Sequence, residues 1–402
     1  MSETDLRSVF LKLLAYCRAN RWAGYDPYDG LNSRMFNALP FLNSRIPRLM
    51  LTQALKRMPF NARPLLLVPK RQNAKAIALF LSALLSLPEV IVQDQETLVW
   101  NMAVWLAALR SPDVPYWCWG YSFPWQTRTI VVPAGAPNLV STVFVANALL
   151  DADKRRRNSA CLEMAKSAGE YILEELYWSE DGPVAGFNYP QPGVRNQVHN
   201  ANLLAAALLC RLARETGEER FLAPALKAAR YAASKQREDG SWYYGEAPAQ
   251  RWIDNFHTGY NLSALRRIAE FGRTAEFDAC IRRGFEFYRT HFFREDGAPR
   301  YFHNRTYPID AHAVAQSIIT LLEFKDHDPE NIARARSVFA WSIKHLWDDR
   351  GFFYYRVLRS CTIRTSYMRW SQAWMLLAIA KLLAESAAAV AAPETESSTA
   401  LA

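Results

Sequence analysis

Histidines recur at a near-constant interval in this sequence. His199, His257 and His312, with Trp370 at the next equivalent place, are separated by 58, 55 and 58 residues. An imidazole titrates near neutrality, so three in register could exchange protons with a substrate, or hold a metal ion if they converge. Each could equally make a hydrogen bond between helices. The stretch Asp254-Asn255-Phe256-His257-Thr258-Gly259-Tyr260-Asn261 gathers a carboxylate, two amides, an imidazole and a phenol. Asp310 follows Asp254 by 56 residues, just ahead of His312. Two carboxylates one repeat apart suit an acid and a base acting on a glycosidic bond, although an Asp before a helix is also a favoured N-cap.

Other side chains could complete a binding surface. Read as a helix start, His257 and Asn261 share a face at i,i+4, with Tyr260 beside them at i+3. Aromatic residues crowd the loops: Tyr244 near Trp252, Tyr301 near Tyr307, and Tyr367 just before Arg369 and Trp370. A sugar ring has apolar C–H faces and a polar rim, which suit aromatic platforms mixed with amides and charges. Tyr244, Tyr260 and Tyr367 are therefore candidate contacts, whereas Trp242 and Phe352 are expected to staple loops to helices. Two N-terminal stretches are as dense. Pro27 and Gly30 explain the turn in Tyr25–Asn32 but leave Asp29 unexplained. The segment from Trp117 holds Trp119, Gln126 and Arg128, and these join Asp29 as candidate contacts.

The elements that must position these groups form a repeat. Glycines at 182, 240, 297 and 351 each end an acidic turn, at steps of 58, 57 and 54. Each turn follows an amphipathic stretch rich in aromatics and precedes a loop and a helix of smaller residues. The smaller-residue helices begin near His199, His257, His312 and Trp370, with a fifth near Thr142. A helix pair that cannot bury its face alone must stack on its neighbours. Helical patterns at about 4–20, 44–57, 73–88 and 95–110 would supply the remaining hairpins. Strand-like runs are confined to 129–132 and 352–357. The expected fold is all-α, a toroid of alternating inner and outer helices. It forms one domain over 1–385, with atypical hairpins in 1–135, regular repeats in 136–385 and a disordered tail over 386–402.

Composition excludes several classes. The 402 residues carry 48 Lys+Arg and 39 Asp+Glu, a formal charge of +9, and half are apolar, which rules out a disordered or collagenous chain. The longest apolar runs fall short of the ~20 residues of a membrane span, and the acidic start lacks the basic region of a signal peptide, so a cytoplasmic protein is expected. Six scattered cysteines read as buried free thiols. Dinucleotide, phosphate-loop, nucleophile-elbow and zinc-protease motifs are absent, and nothing beyond short basic clusters suggests nucleic acid.

The repeat resembles that of the α/α-toroid families, chiefly six-hairpin glycosidases, polysaccharide lyases and sugar epimerases, over about residues 140–385. The likeness implies an (α/α)6-type toroid and an enzyme of carbohydrate metabolism. In uronate-processing members a basic or amide group neutralises the carboxylate while Tyr or His moves the neighbouring proton. Arg369 and Asn255 with His257 and Tyr260 would match those roles. The stretch Gln236–Trp242 resembles the Gln-x-x-Asp-Gly-x-Trp motif of terpene cyclases, where it is structural, but their acidic motifs are lacking. Gly24–Ser33 and Asp254–Asn261 resemble a bacterial group associated with surface-polysaccharide synthesis. Together these imply a sugar or acidic oligosaccharide or polysaccharide substrate, acted on by hydrolysis, elimination or epimerisation. Polysaccharide-synthesis proteins are the implied partners, and no cofactor is implied. A noncatalytic toroid that binds glycan or a partner is the alternative, and an isoprenoid enzyme the third.

Overall fold

Fourteen α-helices occur among the residues that the computed structural model describes, 3–88, 91–127 and 130–391. The atypical N-terminal part contains α1 (Glu3–Ala19), α2 (Arg34–Asn37), α3 (Arg45–Arg57), α4 (Ala74–Leu85) and α5 (Gln95–Ala108). Next come α6 (Leu139–Arg156), α7 (Ser159–Tyr171), α8 (His199–Thr216), α9 (Leu222–Ser234) and α10 (Asn255–Gly272). The chain ends with α11 (Asp278–His291), α12 (Ala311–Glu323), α13 (Glu330–Leu346) and α14 (Trp374–Ala391).

Helices α4, α6, α8, α10, α12 and α14 pack side by side in that order, and α14 returns to α4. They are buried nearly all round: every residue of α8 from His199 to Leu212 is buried, and so are ten of the twelve in α4. Their outer partners are amphipathic. In α11, Cys280, Ile281, Gly284, Phe285, Phe287 and Tyr288 form one buried stripe at helical spacing. Each of α5, α7, α9, α11 and α13 packs on the inner helix before it, and α1 packs on α14. Six hairpins thus close into an (α/α)6 toroid whose last hairpin is completed by its first helix.

The glycine turns set the spacing between hairpins. Gly182, Gly240, Gly297 and Gly351 have φ of +82°, +86°, +82° and +92°, a conformation that disfavours a side chain. A Cβ on Gly240 would also meet the Arg283 carbonyl of α11. The terpene-cyclase-like stretch is a staple between repeats. Gln236 donates to the carbonyls of Gly240 and Cys280, and the buried Trp242 indole donates to Ala232 and lies against Gly284. The strands are two or three residues long and form antiparallel pairs, including Trp125–Gln126 with Val131–Val132 and Trp347–Asp348 with Phe352–Phe353.

Three expectations change. The 44–57 helix is α3, but it stays outside the ring and lies on the Asp29–Asn32 turn and the strand at Trp125. The final helix runs past residue 385 to Ala391, because Glu385 pairs with Lys325 at 2.6 Å and buried Ser386 accepts from Arg336 at 3.0 Å; residues 392–402 lie outside the described residues. Five cysteines are buried free thiols, but Cys361 is exposed because it sits at the tip of the 356–363 hairpin.

The ends of the ring are held by buried charge. Arg369 makes two bonds to Asp26, at 2.6 and 2.8 Å, across 343 residues. Arg63 bonds Asp29 at 2.6 Å, the Tyr367 hydroxyl at 2.8 Å and the Asp26 carbonyl at 2.8 Å. Removing one partner of a buried pair leaves the other charge unsatisfied and costs about 3–5 kcal/mol. Asp26→Ala should lower the unfolding free energy by that amount in urea denaturation, with the helical circular dichroism of the folded protein retained.

Candidate active site

The N-termini of the six inner helices open on one cavity of about 410 Å³. Each start is defined by its cap. Asn73, Asn138, Asp254 and Asp310 accept backbone N–H groups with their side chains; Val198 occupies the same place on α8, and Tyr367 does so on the π-helical turn Met368–Ala373 that leads into α14. The second residue beyond the cap is, in turn, Lys75, Val140, Asn200, Phe256, His312 and Arg369, and all six line the cavity. His257 and Trp370, one residue further on, line it too, and the loops add Tyr28, Tyr121, Tyr189, Tyr244, Trp252 and Tyr301.

Two proton-handling pairs face this space. Asp254 caps α10 through Oδ1, which accepts the His257 N–H at 3.0 Å, while its Oδ2 lies 2.7 Å from His257 Nδ1 and accepts the Trp252 indole at 2.8 Å. Tyr244 stacks on Trp252 with ring centres 4.5 Å apart. With Nδ1 committed to the carboxylate, His257 keeps Nε2 for a ligand. The second pair is Tyr260 and His312, whose hydroxyl and Nε2 are 2.6 Å apart. The His312 ring lies flat between Phe256 and Trp374, with centres 4.4 and 4.6 Å away. Burial, then the cations Lys75 and Arg369, hold its pKa well below the usual imidazole value, and burial pushes the Tyr260 phenol up. Both are therefore neutral, and Tyr260 can take a proton from a ligand while passing its own to Nε2.

Two cations complete the cavity. Arg369 is fixed by Asp26. Lys75 is 3% exposed, and its ammonium has no hydrogen bond or ion pair among the described residues. Its ammonium stands 4.1 Å over the Phe144 ring, with Trp374 and Tyr260 at 5.3 and 5.7 Å. Burial, and then Arg369, lower its pKa well below the usual lysine range. A second cavity of about 260 Å³ lies beyond Phe144, Tyr260 and Trp374, among the later turns of the inner helices. Its charges include the pairs Arg211 with Asp151 and Arg267 with Glu323.

Of the residues singled out from sequence, Asp254, His257, Tyr260, His312, Tyr244, Arg369 and Trp370 come together in the mouth cavity. The others lie elsewhere. His199 is buried one residue short of the lining position, which Asn200 takes. Asp310 caps α12 with Oδ1, and its Oδ2 is taken by Arg356 at 2.9 Å and the Trp370 indole at 3.0 Å. The Asn255 amide is spent on Ser317 and Tyr288, and Asn261 is buried outside the lining. Tyr367 and Asp29 belong to the Arg63 network, where burial pushes Asp29 up to about 6 despite Arg63. Trp119 is buried with its indole on the Leu106 carbonyl, and Gln126 bonds Thr127, Ile130 and Arg48. Arg128 lies outside the described residues. Lys75, Asn200 and Tyr189 line the mouth cavity without having been singled out from sequence. For Lys75 a signal existed: it is the only charged residue in the twelve of α4.

No family model and no curated protein matches the chain. Solved structures share its fold. A cellobiose 2-epimerase from Bacillus thermoamylovorans is 11% identical with a TM-score of 0.62, covering 79% of this chain and 90% of its own. A GH76 α-mannanase from Bacteroides thetaiotaomicron is 12% identical with a TM-score of 0.60, over 79% and 87%. A protein described as a possible member of the GH105 family, from Salmonella enterica, is 11% identical with a TM-score of 0.61, over 96% and 95%. At such identities the likeness defines the architecture alone: the chain has the α/α-toroid fold of these proteins.

Two outcomes follow for stability. A lysine held without a counter-charge opposes folding, so Lys75→Met should raise the unfolding free energy at pH 7 by about 1–2 kcal/mol. The gain should fade as pH rises toward 10, where the unfolded lysine also loses its proton. For His199, burial and then Lys235 lower the pKa to about 4. The unfolded state then binds the extra proton below about 6.5, so this contribution is complete above that pH and is lost as pH falls toward 4. In His199→Gln, the loss of unfolding free energy between pH 7 and 5 should shrink by about 2 kcal/mol.

Proposed function

We propose that the protein is a carbohydrate-active enzyme that moves a proton at a sugar carbon, by epimerisation or elimination. The observation that carries this reading is the cavity's inventory: two proton-handling groups, His257 Nε2 and the Tyr260–His312 pair, beside Asp254, the one carboxylate of the lining. Hydrolysis by paired carboxylates needs a second acid, and Asp310 is held by Arg356 and Trp370. In this mechanism His257 Nε2, oriented by Asp254, and the Tyr260 hydroxyl, backed by His312, act as base and acid on a proton next to a carbonyl or carboxylate. Arg369 and Lys75 favour the negative charge that develops there. Tyr244, Trp252 and Trp370 supply apolar faces for the ring. The fold shared with a cellobiose 2-epimerase and an α-mannanase supports a sugar as substrate. The likeness to the surface-polysaccharide group supports a role in building cell-surface glycans.

The test is solvent exchange. Neutral disaccharides and uronate-terminated oligosaccharides are incubated with the protein in D2O and followed by NMR. Epimerisation should place deuterium on one carbon with inversion there, whereas elimination should leave a new double bond at the carbon that loses its proton. Cleavage with neither deuterium uptake nor a new double bond would indicate hydrolysis instead, and binding without any change would indicate a noncatalytic toroid. A positioned acid or base contributes about 10²–10⁴ in rate. His257→Ala and Tyr260→Phe should each lose turnover by that factor and keep the helical fold; retention within about threefold of the parent would remove these residues from the mechanism.

A further inference from the structure

Exposed apolar surface is concentrated in one segment. Of eleven exposed large hydrophobic side chains among the described residues, eight lie between Met35 and Leu67. Phe41 is 76% exposed, Leu65 73%, Ile46 69% and Met50 66%. On α3, Ile46, Met50, Ala54 and Arg57 recur at helical spacing on the outward face, while Thr52 and Leu55 point in. This helix stands outside the ring, and among the described residues no element covers that face. Charge is concentrated there as well. From Gly30 to Pro88 there are nine Lys and Arg and no Asp or Glu, an excess equal to the +9 of the whole chain. Only Arg63 and Lys75 of the nine are buried.

We propose that this segment docks the protein on an anionic lipid bilayer. Large apolar side chains among cations, with no carboxylate, fit the boundary between anionic headgroups and acyl chains. A second copy of the chain is a poor occupant, since a symmetric contact would set this positive surface against itself. No helix among the described residues is long and apolar enough to cross a membrane, so the attachment is to the surface. The segment borders the cavity. The Lys56 ammonium stands 4.0 Å over the ring of Tyr28, and Arg48 reaches Gln126 beside Trp125. Tyr28 and Trp125 both line the mouth, so docking would bring the rim of the cavity to the bilayer.

The test is co-sedimentation of the full chain with vesicles of phosphatidylcholine, with or without about 30 mol% phosphatidylglycerol. Binding to the anionic vesicles should be at least about tenfold tighter than to the neutral ones and should weaken at high salt. Two variants separate the contributions: Phe41→Ser with Ile46→Ser and Met50→Ser, and Arg45→Glu with Arg57→Glu. Each should reduce anionic-vesicle binding by about tenfold or more, with unchanged melting because all five side chains are exposed. Absence of binding to anionic vesicles overturns the proposal, as does parent-level binding by both variants. A parent that is dimeric in sedimentation velocity, and monomeric as the Phe41 variant, would assign the face to self-association.

Discussion

A clasp of buried charge between the first loop and the last inner-helix turn governs this toroid. Stacked helical hairpins form an open solenoid unless their ends meet, and here α14 packs on α4 and α1 while Asp26 with Arg369, and Asp29 with Arg63 and Tyr367, tie the loops at that seam. Burying such groups costs desolvation that their attraction only partly offsets, so the clasp adds little net stability. Its contribution is geometric. Two parallel bonds to one carboxylate fix the plane of the guanidinium, and they hold Arg369 at the cavity wall. Closure of the ring and construction of the site are thus one event.

The six caps give the ring its register. Measured from cap to cap, the second helical residue always faces the cavity, whether it is lysine, valine, asparagine, phenylalanine, histidine or arginine. The conserved quantity is backbone position, and the chemistry varies around it. Successive helical positions point about 100° apart, so a shift of one residue decides whether a side chain meets the cavity or the neighbouring helix. His199 and Asn200 show the difference directly.

Much of the fold was legible because it rests on periodicity: glycine turns needing positive φ, amphipathic outer helices and nearly uniform apolar inner ones. The site was legible where polar groups clustered in one segment, as at Asp254–Tyr260. It was illegible where partners come from distant repeats. The histidine spacing suggested one phase, but His257 and His312 stand at different places relative to their caps, and His199 at a third. Nothing near Asp310 in sequence announces Arg356, which occupies it across a strand pair. Lys75 was readable as an isolated charge in an apolar helix, but its place in the cavity required knowing that α4 belongs to the inner ring. α3 has a helical pattern like those of the ring helices, and only the packing separates it from them.

The wall of Phe144, Tyr260 and Trp374 between the two cavities has a topological consequence. A toroid suggests a tunnel, but this one is stoppered halfway, and the mouth cavity is a cul-de-sac. Whatever enters must back out by the same door.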